Sequence, residues 1–420
     1  MIAASREPLG LGIDLGTSGL RLALIDHSGS VLAERSTNYP GCFEDPQGWR
    51  QGVVALCAEL PQELRDRVAA VAVDGTSGTV LACSANGDPW GHSLPYFLAC
   101  PEQASAAAAL AGSAAVPAAS ASGSLARVLR LLEERRGSGS LLMRHQADWL
   151  SGWLLGDWRF GEEGNNLRLG WDLGRQCWQG AIAEQPWSAA LPQVVRSGAV
   201  LGPLSPTASS ALGLPAHCQV VAGSTDANAA VLAADPQPGD GVTVLGTTLV
   251  LKQFASQPLT GPGISCHRVA GRWLVGGASN AGAGVLRQFF SDALLVELSR
   301  QIDPRSSSGL ALRPLPRPGE RFPVDDPTLE PVLEPRPISD ALYLQGLLEG
   351  LAQIEAQGWG ALQRLGTEPV QRVISLGGGA RNPQWRLIRQ RMLGVPVLNR
   401  PQCSAASGMA RLALFAVCPP

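Results

Sequence analysis

Asp226 opens the alanine-rich run AGSTDANAAVLAA (222–234), directly after a Gly-Ser-Thr triplet. An acid in the first turn of a helix stabilises it by a few tenths to about 1 kcal/mol, and the same end field favours the ionised carboxylate. Asp226 is therefore either an ordinary helix-start acid or a carboxylate held rigidly toward a reacting group. Other stretches bear on that choice. In GIDLGTSG (12–19), Asp14 ends an apolar run and is followed by Gly16, Thr17 and Ser18, whose N–H groups and hydroxyls can cradle a phosphate. Asp14 is then placed to hold a hydrated magnesium ion that bridges phosphates. The same logic applies to Gly246, Thr247 and Thr248 in VTVLGTTLV (242–250). An ordinary hairpin turn has this composition too, but two such turns in separate halves of one chain are harder to dismiss. No G-x-x-x-x-G-K-[ST] loop occurs, and Lys252 is the only lysine.

VISLGGGARNPQW (373–385) ends a buried strand in Gly377, Gly378 and Gly379 and starts a helix at about Pro383, a residue favoured in a first helical turn. Backbone without side chains lets a flat ligand lie close. Asn382 offers an amide and Trp385 an aromatic surface for a purine. A strand-to-helix turn that only needs positive φ would use one glycine rather than three. In VDGTSGTV (73–80), Asp74, Thr76 and Ser77 form a polar cluster suited to the hydroxyls of a small polyol. A structural Asx-type turn would look the same.

The elements that must position these groups follow a repeated order. Residues 9–34 read as strand, glycine turn, strand, turn and strand, an antiparallel meander. A helix at about 49–67 precedes a buried strand, a polar turn and another strand through residue 90. Residues 101–158 read as helical, with an Ala/Ser/Gly-rich interruption at 111–123. HCQVVAGSTDANAA then restates strand, turn and helix, and VTVLGTTLVLK restates the glycine hairpin, so the chain is expected to hold two similar halves. A proline-rich, charged connection at 303–337 leads into a long helix over 338–365, a strand, a helix, a short strand and a closing helix from Ser404.

With 420 residues, 45% hydrophobic and 16% charged, the chain has the composition of a globular protein of two or three domains. A formal charge of -2 gives no global field for nucleic acid or for an anionic membrane, and no run of about 18 apolar residues predicts a membrane span. The nine cysteines are scattered without a C-x-x-C pair, which is the pattern of thiols in a reducing compartment, so a cytoplasmic location is expected. The opening MIAASREPLG has no basic segment followed by an apolar core and does not read as a signal peptide.

Together and in this order, these segments resemble the FGGY family of carbohydrate kinases, within the actin/hexokinase ATPase superfamily. LGIDLGTSGLRLALID is similar to its first phosphate motif, VTVLGTT to its second and ISLGGGARNPQW to its adenosine motif. GGASNAGAGVLRQFF (276–290) is similar to the segment that opens its C-terminal helical layer. The resemblance implies an α/β fold of two ribonuclease H-like domains flanking a cleft, a sugar-binding domain over 10–236 and a nucleotide-binding domain over 237–420. It implies ATP and Mg2+ as cofactors, a small sugar as the other partner, and Asp226 as the base that accepts the proton of the attacking hydroxyl. Asp14, Asp74, Thr76, Ser77, Thr225 and Asp226 are the expected substrate contacts. Gly16, Thr17, Ser18, Gly246, Thr247, Thr248, Gly377, Gly378, Gly379, Asn382 and Trp385 are the expected ATP contacts. Many members carry Trp-x-Asp-x-Arg in the substrate region; here YFLAC (96–100) puts Leu98 and Cys100 in place of the acid and the arginine. VDGTSGTVL is similar to the Asp-Ala-Thr-Cys-Ser segment of the ribulose and ribitol kinase branch, and D-ribulose is the expected substrate. D-xylulose or another polyol is the alternative substrate, and a catalytically idle sugar- or nucleotide-binding regulator is the alternative function.

Overall fold

The computed structural model describes residues 7–112, 117–135 and 140–419. The chain forms two compact units: one runs to residue 233 and includes 268–271 and the segment from 404 onward, and the other comprises 234–267 and 272–403.

The first unit is built on β1 (Leu9–Leu15), β2 (Leu20–Ile25), β3 (Val31–Thr37), β4 (Val68–Gly75), β5 (Val200–Pro203) and β6 (Gln219–Thr225), in the sheet order β5-β6-β4-β1-β2-β3. The first three strands form the expected antiparallel meander, while β4 runs parallel to β1 and β6 parallel to β4. Because side chains alternate along a strand, Leu9, Leu11, Ile13 and Leu15 of β1 all enter one core with Val71 and Val73 of β4. That core is closed by α1 (Pro46–Ala58) and α2 (Gln146–Leu155), through Trp49, Val53, Trp149 and Leu150.

The other face of β1 carries Gly10, Gly12 and Asp14. Here the sheet meets α6 (Ala405–Val417), the closing helix, with almost no side chain between the backbones. A Cβ on Gly12 would stand 1.8 Å from the Ala406 carbonyl oxygen, and one on Gly10 would stand 2.3 Å from that of Ala410. Gly408 brings α6 equally close to α3 (Asp226–Ala233), where a Cβ would be 1.9 Å from the Ala229 oxygen.

In the second unit, β7 (Asp240–Leu245), β8 (Leu249–Ala255), β9 (Ile264–Val269), β10 (Arg272–Ser279), β11 (Arg372–Leu376) and β12 (Val397–Asn399) are ordered β9-β10-β8-β7-β11-β12. Again an antiparallel hairpin, β7–β8, is flanked by strands parallel to its first member. α4 (Asp340–Leu365) and α5 (Pro383–Leu393) cover a separate apolar core that includes Leu251, Leu347, Leu351 and Ile388. Both units are mixed α/β, as expected.

The structure departs from the sequence reading in three places. The closing helix, expected with the second domain, belongs to the first unit, because the small residues it presents fit the glycine face of β1. Leu142–His145, inside the stretch read as helical, is a strand paired antiparallel with Val80–Cys83, a partner about sixty residues distant that local periodicity cannot reveal. Val200–Pro203 is an edge strand that was not expected. Part of the 111–123 interruption, residues 113–116, lies outside the described residues.

The backbone contact at β1 yields a stability prediction. Gly12→Ala should cost at least the ~1–3 kcal/mol typical of overpacking, seen as a lower urea midpoint. Gly180→Ala, whose Cβ would meet nothing within 4 Å, should barely shift it.

Candidate active site

β1, β4 and β6 are parallel, so their C-terminal ends share one edge of the sheet, where binding sites of α/β folds gather. Each strand delivers an acid or leads into one. Asp14 and Asp74 are register partners in adjacent strands, and Asp226 follows Thr225 at the start of α3. Asp14 is buried and accepts a hydrogen bond from Arg21 Nη1 at 2.9 Å, its cross-strand neighbour on β2. Asp226 is half-buried, and its Oδ1 accepts the Ala227 N–H at 2.7 Å.

The helix-start field was expected to make Asp226 a weak base, and that expectation is corrected. Crowding by protein atoms pushes its carboxyl up to about 6, although the residue keeps some open surface. The Ala227 N–H opposes this shift, Asp14 adds to it and Arg168 reduces it. Asp226 is still mostly ionised at neutral pH, but it holds a proton far better than an exposed aspartate does.

The remaining expected substrate contacts divide. Asp74 and Thr76 are fully or almost fully buried, and so is Thr225. The Thr76 hydroxyl is engaged by Gln146 Oε1 at 2.8 Å and by Thr79 at 2.7 Å, and its N–H also reaches Gln146 Oε1 at 3.1 Å. Thr76 thereby braces the 75–79 turn, whereas the two Asp74 carboxyl oxygens have no hydrogen-bond partner among the described residues. Ser77 is partly accessible.

In the 16–19 turn, the Gly16 N–H donates to the Gly19 carbonyl at 3.0 Å and leaves Thr17 and Ser18 exposed. Tyr39 donates to the Gly16 carbonyl at 2.6 Å, and the Tyr96 hydroxyl lies 3.1 Å from Thr17 Oγ1. Arg127, fully buried, donates to the carbonyls of Leu98 at 2.8 Å and Gly78 at 3.0 Å and also to that of Tyr96. It therefore pins the 96–98 segment to the 75–79 turn. Leu98 is half-buried and Cys100 buried, so in place of an acid and a base this segment turns apolar groups inward.

Sequence reasoning missed Arg127, Arg168, Tyr39, Tyr96 and Gln146. Arg127 alone left a signal, as a charge on the apolar side of SLARVLRLLEE. Tyr96 lies in the YFLAC segment but was given no role, and the others come from distant segments without a motif.

In the second unit the Gly246-Thr247-Thr248 turn is closed by Gly246 N–H to Thr248 O at 3.2 Å, with Thr247 exposed. It is braced by Ala283 N–H to Gly246 O at 2.9 Å and Gly284 N–H to Thr247 O at 3.2 Å. This places Gly282 and Gly284 against the hairpin, where a Cβ on Gly282 would stand 2.4 Å from Thr247 O. The three glycines after β11 differ in role. Gly377 has φ +82, and a Cβ on Gly379 would lie 2.4 Å from the Trp385 ring, but at Gly378 a Cβ meets nothing within 4 Å.

Two residues expected to contact the nucleotide also have structural roles. Trp385 is 2% exposed, within the core, and its ring fills the space against Gly379 and Leu245. Asn382 caps α5 by accepting Trp385 N–H at 3.0 Å, while its Nδ2 donates to Ser299 at 2.8 Å. Beneath the turns, buried Arg389 makes a two-pronged ion pair with Glu355 at 2.6 and 2.7 Å, and Glu355 also accepts from Thr243 Oγ1 at 2.6 Å. Lys252 is buried and donates to Ser265 at 2.7 Å.

Among the described residues no group of three His, Cys, Asp or Glu side chains could hold a metal ion, and no helix is long and apolar enough to cross a membrane. A hydrated cation needs fewer protein ligands. Asp14 suits one, because Arg21 engages only its Oδ2.

Burial of Asp226 carries a linkage consequence. A carboxyl whose folded pKa is raised loses stability as pH rises from about 4 to about 6, and the deficit persists above. Asp226→Asn should therefore be more stable than the parent at pH 7.5, on the order of 2 kcal/mol, with the advantage absent at pH 4. Urea midpoints at the two pH values test this.

Comparison with known proteins agrees with this architecture. Residues 241–417 match the C-terminal domain of the FGGY family of carbohydrate kinases. A xylulose kinase of Streptomyces coelicolor is 26% identical over 94% of this chain and 85% of its own length. Among solved structures, a xyloylose (xylulose) kinase of Brucella ovis superposes with a TM-score of 0.82 at 22% identity, covering 97% of this chain and 90% of that one. A Plasmodium falciparum glycerol kinase with ADP gives 0.80 at 14% identity, covering 98% and 90%. These two likenesses show a shared fold. The family match covers only this C-terminal stretch of the chain.

Proposed function

We propose that the protein is an ATP-dependent sugar kinase in which Asp226 is the general base. The observation that carries this reading is the acid cluster at the ends of β1, β4 and β6, with Asp226 half-open and its carboxyl pushed up to about 6 by burial. A base of that strength is ionised at neutral pH and can still take a proton. In the reaction, a substrate hydroxyl oxygen bonds the γ-phosphorus as the bond from phosphorus to ADP breaks, and the hydroxyl proton passes to Asp226. Phosphoryl transfer has a loose transition state, so orientation and charge stabilisation outweigh forceful deprotonation.

The exposed turn groups of Thr17, Ser18 and Thr247, with Gly16, Gly246 and Thr248 beside them, are proposed to bind phosphates through N–H and hydroxyl donors. The open surface over Gly378 is proposed for the nucleotide base. Asp14 is proposed to hold hydrated Mg2+, which would neutralise phosphate charge when bound.

For the substrate we propose a ketopentose, D-ribulose first. The 73–80 segment and the apolar inward side of 96–100 support it, because the acid and arginine of the Trp-x-Asp-x-Arg pattern are replaced by Leu98 and Cys100. D-xylulose is the second reading, favoured by the xylulose kinases among the relatives.

ADP release with MgATP should be stimulated by D-ribulose above D-xylulose, L-ribulose, ribitol and glycerol, and a panel without any stimulation would reject the kinase reading. Asp226→Asn should lower kcat by about 10²–10⁴-fold. In the parent, log kcat/KM should fall as pH drops through about 6, where Asp226 gains its proton. A flat profile between pH 5 and 8 would remove Asp226 from that role. Gly378→Val should fold normally, since the space is open, yet weaken ATP binding by at least tenfold in calorimetry.

A further inference from the structure

An arc of aromatic side chains starts and ends on the 16–19 turn. Tyr39 donates its hydroxyl proton to the Gly16 carbonyl at 2.6 Å and packs edge-on against Phe43, with ring centres 5.6 Å apart. Phe43 stacks on Phe97 at 6.2 Å, and Phe97 meets Tyr96 edge-on at 5.3 Å. The Tyr96 hydroxyl then returns to the turn, 3.1 Å from Thr17 Oγ1. Offset stacks and edge-to-face contacts are the arrangements aromatic rings prefer. Phe97 is 60% exposed, so its ring adds little to the core and serves to brace Tyr96.

The Tyr96 backbone is fixed separately. Its N–H donates to Thr79 Oγ1 at 3.0 Å, and its carbonyl accepts from the buried Arg127. Tyr96 therefore joins two turns that follow neighbouring parallel strands, 16–19 after β1 and 75–79 after β4.

A threonine hydroxyl has one proton to donate and two lone pairs that accept, whereas an ionised phosphate oxygen only accepts. If Thr17 donates to Tyr96, it has no proton for a phosphate. If the phenol donates instead, the Thr17 proton can point to the phosphate, and the chain from phenol to threonine to anion polarises in one direction. An anionic oxygen at the turn selects the second arrangement.

We propose that Tyr96 is a positioning residue for Thr17: its hydroxyl donates to Thr17 Oγ1 and turns the Thr17 proton toward a phosphate oxygen, while its backbone ties that turn to the 75–79 turn. This deepens the kinase reading given above and rests on the placement of phosphate at Thr17.

Tyr96→Phe removes the phenol oxygen and keeps the ring, so it should fold like the parent. With Thr17 intact, or replaced by Ser, it should weaken MgATP binding in calorimetry and lower kcat/KM for MgATP, each by about three- to tenfold, the worth of one hydrogen bond. In a Thr17→Val background the same change should cost less than about twofold, because the acceptor is already gone. Equal losses in the threonine and valine backgrounds would overturn the proposal, since a merely structural tyrosine acts without regard to the Thr17 hydroxyl. If Tyr96→Phe does not fold, Phe97→Ala, which removes the exposed ring that braces Tyr96, replaces it in the same cycle with the same two outcomes. A parent that binds MgATP but is driven by no sugar rejects the kinase reading, while the cycle in dissociation constants still reports on Tyr96. A parent that binds no MgATP overturns both.

Discussion

The first unit depends on a backbone-to-backbone contact. Gly10 and Gly12 let α6 lie directly on β1, and Gly408 lets the same helix lie directly on α3 one turn beyond Asp226. Close-packed interiors leave little room for adjustment at such contacts. The strand that ends in Asp14 and the helix that starts with Asp226 are therefore both held by one element, a helix supplied by the last residues of the chain. Any side chain added at this seam would separate the elements that carry the acids.

That rigidity sets the electrostatics. Three carboxyls at the ends of neighbouring strands repel one another, and Arg21 compensates only the first. The strain is distributed unevenly because the three are buried to different degrees. Asp14 has a guanidinium partner, Asp74 is enclosed without one, and Asp226 retains some open surface. Burial thereby raises the proton affinity of Asp74 and Asp226, which is how position can fit a common side chain to a particular role.

The second unit solves a different problem, that of holding two exposed turns without side chains to anchor them. Backbone donors from Ala283 and Gly284 fix the 246–248 turn, and Trp385 closes against Gly379. Below them the buried pair of Arg389 and Glu355 joins α4 to α5, with Thr243 of β7 and Ser375 of β11 satisfying further hydrogen-bonding groups. A buried ion pair is weak evidence for stability, but breaking one partner leaves an uncompensated charge, so the network locks the strands that end in the turns.

The first meander and the two glycine turns were legible in the sequence, because alternation of apolar residues and turn chemistry are local properties. Asp14 and Asp226 were legible for the same reason: each sits where a strand or helix boundary is written in adjacent residues. The sequence could not decide what burial does. The helix-start position of Asp226 argues for a weak base, yet tertiary crowding moves its carboxyl to about 6. Trp385 reads as a ligand platform beside three glycines, yet it fills the core. Thr76 meets Gln146, and Arg127 meets the Gly78 carbonyl, only because segments up to 70 residues apart converge. Local pattern determines which groups are present and which strand ends carry them; desolvation and long-range packing, which depend on every neighbour at once, decide which of those groups face solvent and hold a proton.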